Sequence, residues 1–102
     1  MRNTEIRADV LLALQVALLD MITPNIRGVT CDWDDIKITI KFIFDGNYSE
    51  DNKELCEEVV TEVMSHFPRH NVELKLASIS SPLSIKDEML AAWVFLRREN
   101  QF

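Results

Sequence analysis

Two runs, Val29 to Trp33 and Ile36 to Phe44, each carry apolar residues on every second position, and this period of two constrains the chain more than any other feature it has. Val29, Cys31 and Trp33 alternate with Gly28, Thr30 and Asp32, while Ile36, Ile38, Ile40, Phe42 and Phe44 alternate with Lys37, Thr39 and Lys41. Successive side chains of a strand point to opposite faces, so these are two half-buried strands of a hairpin. A two-residue loop at Asp34-Asp35 sets Trp33 opposite Ile36, Cys31 opposite Ile38 and Val29 opposite Ile40. Every apolar residue then shares one face, and Asp32 meets Lys37 and Thr30 meets Thr39 on the other. Asp-Asp is a weaker turn signal than Asn-Gly, which leaves a longer loop open.

Helical periods flank this hairpin. Ile6, Val10, Leu14, Ala17, Leu18 and Met21 recur at spacings of three and four, with Asn3 or Thr4 as cap and Pro24 as stop. Leu11, Leu12, Val16 and Leu19 widen that stripe beyond the usual apolar third. We expect deep burial of this helix; the alternative is a second face shared with a partner. A turn at Asp45-Gly46 and a cap at Ser49, with Glu50 and Asp51 at the positive end of the macrodipole, open a second helix. Its buried stripe is Leu55, Cys56, Val59, Val60, Val63, Met64 and Phe67, with Glu54, Glu57, Glu58, Thr61 and Glu62 toward solvent, and Pro68 ends it. Val72, Leu74 and Leu76 form a third strand, which Ser80-Ser81-Pro82 breaks. Leu83 to Met89 reads as loop or one helical turn, Leu90 to Arg98 as a fourth strand, and the tail beyond Arg98 is expected to fray.

The order is α-β-β-α-β-β, an α+β fold in which two helices cover one face of a four-stranded, largely antiparallel sheet. A chain of 102 residues, 47% of them hydrophobic, suffices for one domain over 1–102 with one core. No apolar run reaches the ~20 residues of a membrane span, and charges occupy Met1 to Asp9 where a signal peptide needs an apolar stretch. A cytoplasmic protein is expected. Cys31 and Cys56 lie inside apolar patterns, as reduced core thiols do.

Charge is unevenly spread. Between Asp32 and Glu62 there are ten carboxylates against three lysines, a net of −7; the other seven acids and eight bases net +1, which gives the chain its −6. An acidic block of this kind repels nucleic acid and anionic lipid and speeds encounter with a basic protein. Neither direct nucleic-acid binding nor membrane binding is expected.

Little in the chain is arranged for catalysis. His66 and His70 have the spacing of two ligands on one helical face, but Pro68 between them breaks the helix, so no metal site is expected. The carboxylates of Trp33-Asp34-Asp35 and Phe44-Asp45-Gly46 sit where turns place Asp. No nucleophile, base and orienting group occur together, and two glycines cannot build a phosphate cradle, so no enzyme and no cofactor are expected. Arg97 and Arg98 read as solubilising charge, since strand neighbours point to opposite faces.

The order Ala17-Leu18-Leu19, Pro24-Asn25-Ile26-Arg27-Gly28-Val29, Trp33-Asp34, Phe42-Ile43-Phe44-Asp45-Gly46, Ser49-Glu50-Asp51, Thr61-Glu62-Val63 and Arg97-Arg98-Glu99 resembles a large family of small bacterial proteins. Some of these are similar to immunity proteins of contact-dependent growth inhibition and related polymorphic toxin systems. The resemblance implies an intracellular protein that binds a cognate toxin domain, often a nuclease, and blocks it. Contact surfaces diverge in such families, so no binding residue is carried over by motif. The acidic block supplies the candidates instead, because nuclease sites are lined with Lys and Arg for phosphate. Asp32, Asp34, Asp35, Asp45, Glu50, Asp51, Glu54 and Glu58 are expected to engage a basic toxin, with Trp33 or Tyr48 as aromatic anchors unless Trp33 is core. The alternative is a non-catalytic structural or regulatory interaction module, homodimeric through the first helix or an unpaired sheet edge.

Overall fold

The structure is a computed structural model and describes residues 4–99. A 3-10 turn at Thr4–Ile6 leads into α1 (Arg7–Ala17), followed by β1 (Ile26–Trp33), β2 (Lys37–Phe44), α2 (Glu50–His66), β3 (Asn71–Ser78), a second 3-10 turn at Lys86–Glu88 and β4 (Ala92–Leu96). The element order is the expected one, and the fold is α+β. Asn3 and the tail from 100 onward lie outside the described residues.

The β1–β2 hairpin forms, with its register two residues further out than a two-residue loop gives. Trp33 faces Ile38, Cys31 faces Ile40 and Val29 faces Phe42. Asp34 is the reason. Its Oδ1 accepts hydrogen bonds from the amides of Ile36 (2.9 Å) and Lys37 (2.8 Å), and its own amide donates to the Lys37 carbonyl at 2.9 Å. The turn therefore closes at Lys37, and Ile36 sits exposed at its tip. A shift of two keeps each side chain on its face, so the core set survives, but Asp32 now meets Thr39 and Thr30 meets Lys41.

The sheet order is β3-β2-β1-β4, with β1 antiparallel to both neighbours and β3 parallel to β2. The sheet is thus mixed, and β3 and β4 occupy opposite edges. The parallel pair follows from α2, because only a crossover long enough to hold a helix returns a chain to run parallel.

α1 and α2 lie side by side on one face, over Val29, Cys31, Trp33, Ile38, Ile40, Phe42 and Phe44, all nearly inaccessible. The opposite face is not left to solvent either. The connection 79–91 crosses it from the β3 edge to the β4 edge and seats Ile85 beside Gly28. Gly28 is required there, since a Cβ would stand 2.8 Å from the Trp93 ring, 3.3 Å from Ile85 and 3.4 Å from Leu96. Thr30 fastens the same segment: its hydroxyl donates to the Ala92 carbonyl (2.7 Å) and accepts from the Leu90 amide (2.9 Å). Both central strands are therefore buried on both faces.

Candidate functional site

α2 is built as a two-sided helix. Ser49 caps it, accepting from the Asn52 amide at 3.1 Å while Asn52 Oδ1 accepts from the Ser49 amide at 3.0 Å. Cys56, Val59 and Val63 go into the core. On the opposite side Glu54, Glu57, Glu58, Thr61, Glu62 and Ser65 line one shallow surface groove. The two hydroxyls are turned inward, Thr61 donating to the Glu57 carbonyl and Ser65 to the Glu62 carbonyl. Between Glu50 and His66 the helix holds six carboxylates and one lysine, Lys53. His66, 3.5 Å from Glu62, is the other group there able to carry positive charge. The ridge is thus a surface of one sign, facing water. Met64, expected in the buried stripe, is instead half exposed.

α1 departs from expectation in the same region. Val10, Leu14 and Ala17 are buried, but its second apolar stripe is not: Leu12, Val16 and Leu19 are 62%, 51% and 72% exposed. One face of the helix meets the sheet and a flank meets α2, and among the described residues nothing covers the third side. The helix also stops at Ala17, well before Pro24, where Asp20 takes a left-handed φ of 64°. Asp9, Leu12, Ala13 and Val16 of α1 share a groove with His66 and Phe67 at the end of α2. The outer surface of the helical layer therefore sets an apolar stripe beside an acidic ridge.

The remaining candidate residues lie elsewhere. Asp32 and Asp34 border a separate groove with Lys37, Thr39 and Lys75, and Asp35 is exposed on the turn. Asp34 is held ionised below the usual carboxylate range by the Ile36 and Lys37 amides. Trp33 is core, 3% exposed, with the Arg7 guanidinium 5.5 Å from its ring centroid. Tyr48 is partly exposed and packs on Phe44 with ring centroids 5.1 Å apart. Glu50 and Asp51 stand exposed in the first turn of α2. Cys31 and Cys56 are free and buried, and burial pushes both thiols up to about 12.

Asp45 belongs to a network that the sequence reading did not anticipate. Arg27 is completely buried, and its Nε and Nη2 each donate to Glu99 at 2.8 Å while Nη1 donates to the Ile79 carbonyl at 2.9 Å. Arg97 donates to Glu99, Asp45 and the Pro24 carbonyl, each at 2.9 Å, and Asp45 also accepts from the Ser81 amide. Hydrogen bonds from Arg27 hold Glu99 below its ordinary range, as those from Arg97 hold Asp45. So Arg97 is not loose surface charge, and Glu99 is not frayed. The network joins β1, the end of β2, the 79–91 connection and the segment after β4, with its charges matched internally.

A family model described as MafI2 immunity protein matches residues 7–99, nearly the whole described fold. The chain belongs to the MafI2 immunity protein family. This membership supports an immunity protein of a polymorphic toxin system, with a cognate toxin as the partner that such a family implies. Among solved structures the chain is similar to one titled "MamM CTD - Copper form", at 18% identity and a TM-score of 0.48, covering 78% of this chain and 93% of that one. No curated protein matches it. Within the described residues no helix is long and apolar enough to cross a membrane, and no group of three or more His, Cys, Asp or Glu could hold a metal ion.

Proposed function

We propose that this chain neutralises a cognate toxin domain of basic, nuclease type by binding it, without catalysis, through the outer surface of its helical layer. Membership of the MafI2 immunity family supports a toxin as partner. The observation that carries the choice of surface is the run Glu54, Glu57, Glu58 and Glu62 along one open groove, with no Lys or Arg among the groove's residues. A nuclease presents Lys and Arg to phosphate, so this ridge attracts the same site that nucleic acid would occupy. Leu12, Val16 and Leu19 alongside supply the apolar area that a ridge of carboxylates lacks, and an interface needs both a desolvated centre and a charged rim. Asp45 takes no part in this reading, because Arg97 already neutralises it. The inhibitor meets its toxin in the cytoplasm and does not itself touch nucleic acid.

The exposed α1 stripe also favours a second reading, a non-catalytic interaction module that docks an apolar partner there. Co-expression with a cognate toxin domain separates the two. The proposal expects survival with wild type and death when Glu54, Glu57, Glu58 and Glu62 are all changed to Lys, at unchanged thermal stability. Survival with the reversed ridge, combined with death on changing Leu12, Val16 and Leu19 to Gln, leaves the apolar stripe as the functional surface and removes the acidic one.

A further inference from the structure

β3 is an edge strand of eight residues, and among the described residues no strand pairs with its outer side. Its ladder to β2 fixes which backbone groups are open. The Asn71 amide donates to the Ile36 carbonyl and the Ile79 amide to the Phe44 carbonyl, so in this parallel ladder the odd-numbered residues face β2. The N–H and C=O of Val72, Leu74, Leu76 and Ser78 therefore point outward. The side chains of Val72, Leu74 and Leu76 are only half buried, whereas their β2 neighbours Ile38, Ile40 and Phe42 are 0–1% exposed. Val60 and Met64 continue this apolar strip on α2. Met64 lies about 200° around the helix from His66, which faces the α1 groove, and so falls on the flank above β3.

The order Val72-Glu73-Leu74-Lys75-Leu76 is self-complementary when reversed. Placed antiparallel to a second copy with Leu74 opposite Leu74, Val72 meets Leu76 on the helix face, and Glu73 meets Lys75 twice on the other face. The even-numbered residues then exchange backbone hydrogen bonds, and the two Glu73–Lys75 pairs fall at the closer, non-hydrogen-bonded positions. Sliding the register by two in one direction sets Glu73 against Glu73; the other direction sets Lys75 against Lys75. Glu73 and Lys75 are free to re-pair, since their present contacts are long and exposed: 4.0 Å to each other, and 3.9 Å from Glu73 to Lys37.

We propose that the open edge of β3 pairs antiparallel with β3 of a second copy of this chain, in the register that opposes Glu73 to Lys75, making one continuous eight-stranded sheet. The two-fold axis of such a pair stands perpendicular to the sheet. Both helical layers then lie on the same side, and the acidic ridge of each copy stays open, so the dimer is independent of toxin binding.

Sedimentation equilibrium of the full chain at low salt tests this with charge swaps. Wild type is expected to dimerise, and Glu73→Lys or Lys75→Glu alone to weaken the dimer about tenfold or more, because each sets like charges opposite twice. The double variant E73K/K75E restores wild-type dimerisation, and mixing the two single variants yields a heterodimer tighter than either alone. A wild type monomeric at every concentration overturns the proposal, and so does a dimer indifferent to the single reversals. Neither result bears on toxin neutralisation, which is read separately by cell survival.

Discussion

Removing Glu99 should cost this protein far more stability than the loss of an ordinary exposed charge. Arg27 is 0% exposed, so its guanidinium is a charge inside the fold, and Glu99, 12% exposed, supplies two of its three hydrogen-bond partners at 2.8 Å. Deleting one partner of a buried pair leaves an uncompensated charge and costs about 3–5 kcal/mol. Glu99 retains some contact with water, which places Glu99→Ala near the lower end, at about 3 kcal/mol. For a domain of this length, where 1 kcal/mol moves Tm by roughly 4–8 °C, the expected loss is about 12–24 °C. Urea unfolding followed by tryptophan fluorescence and calorimetry both measure it. The double variant Arg27→Met with Glu99→Leu should recover most of that loss, because removing both charges also removes their desolvation cost. A loss under about 1 kcal/mol for Glu99→Ala, or no recovery in the double variant, would refute the argument that the fork is held in a dry site.

Acid should act through the same network: Glu99 and Asp45 have folded pKa values below their ordinary 4.5 and 3.8, so their stabilisation is complete above those values and is lost as pH falls through the folded ones. Urea midpoints from pH 7 to 3 should fall for wild type and fall less for Glu99→Gln, and parallel curves would contradict the assignment. Gly28→Ala should destabilise by about 1–3 kcal/mol, read in the same urea assay, since its Cβ meets the Trp93 ring at 2.8 Å; a neutral result would mean that β4 yields. Cys31 and Cys56, whose thiols are pushed up to about 12, should react with a disulfide reagent at pH 8 only as fast as the protein unfolds, and rapid stoichiometric labelling in native buffer would contradict their burial.

Local periodicity carried most of the architecture. The hairpin faces, the Ser49 cap and the buried stripe of α2 each depend on neighbours a few residues apart, and each was readable there. What escaped depends on distant partners. Arg27 and Glu99 are 72 residues apart, and the one signal of their pairing was a charged side chain inside the apolar run from Ile26 to Cys31. The parallel β2–β3 pair is implied by the helix between them, yet four half-apolar strands read as a largely antiparallel sheet. The exposed stripe of α1 is not fixed by sequence, because a run as apolar as Val10 to Leu19 reads the same whether the fold or a partner covers it. Of the candidate acids, helical spacing placed Glu54 and Glu58 on one ridge. Asp45 became part of an internal ion network, since its turn lies beside Arg97, a neighbour that no local pattern announces.

The acidic ridge makes one demand on kinetics above all others, a steered association. The most direct test is the association rate constant with the purified cognate toxin domain, measured by stopped flow across ionic strength for wild type and for the variant with Glu54, Glu57, Glu58 and Glu62 changed to Lys. Wild type should associate at least about tenfold faster at low salt than the variant, and the advantage should vanish as salt screens the ridge. Equal rates at low salt, or a wild-type rate indifferent to salt, would contradict the account.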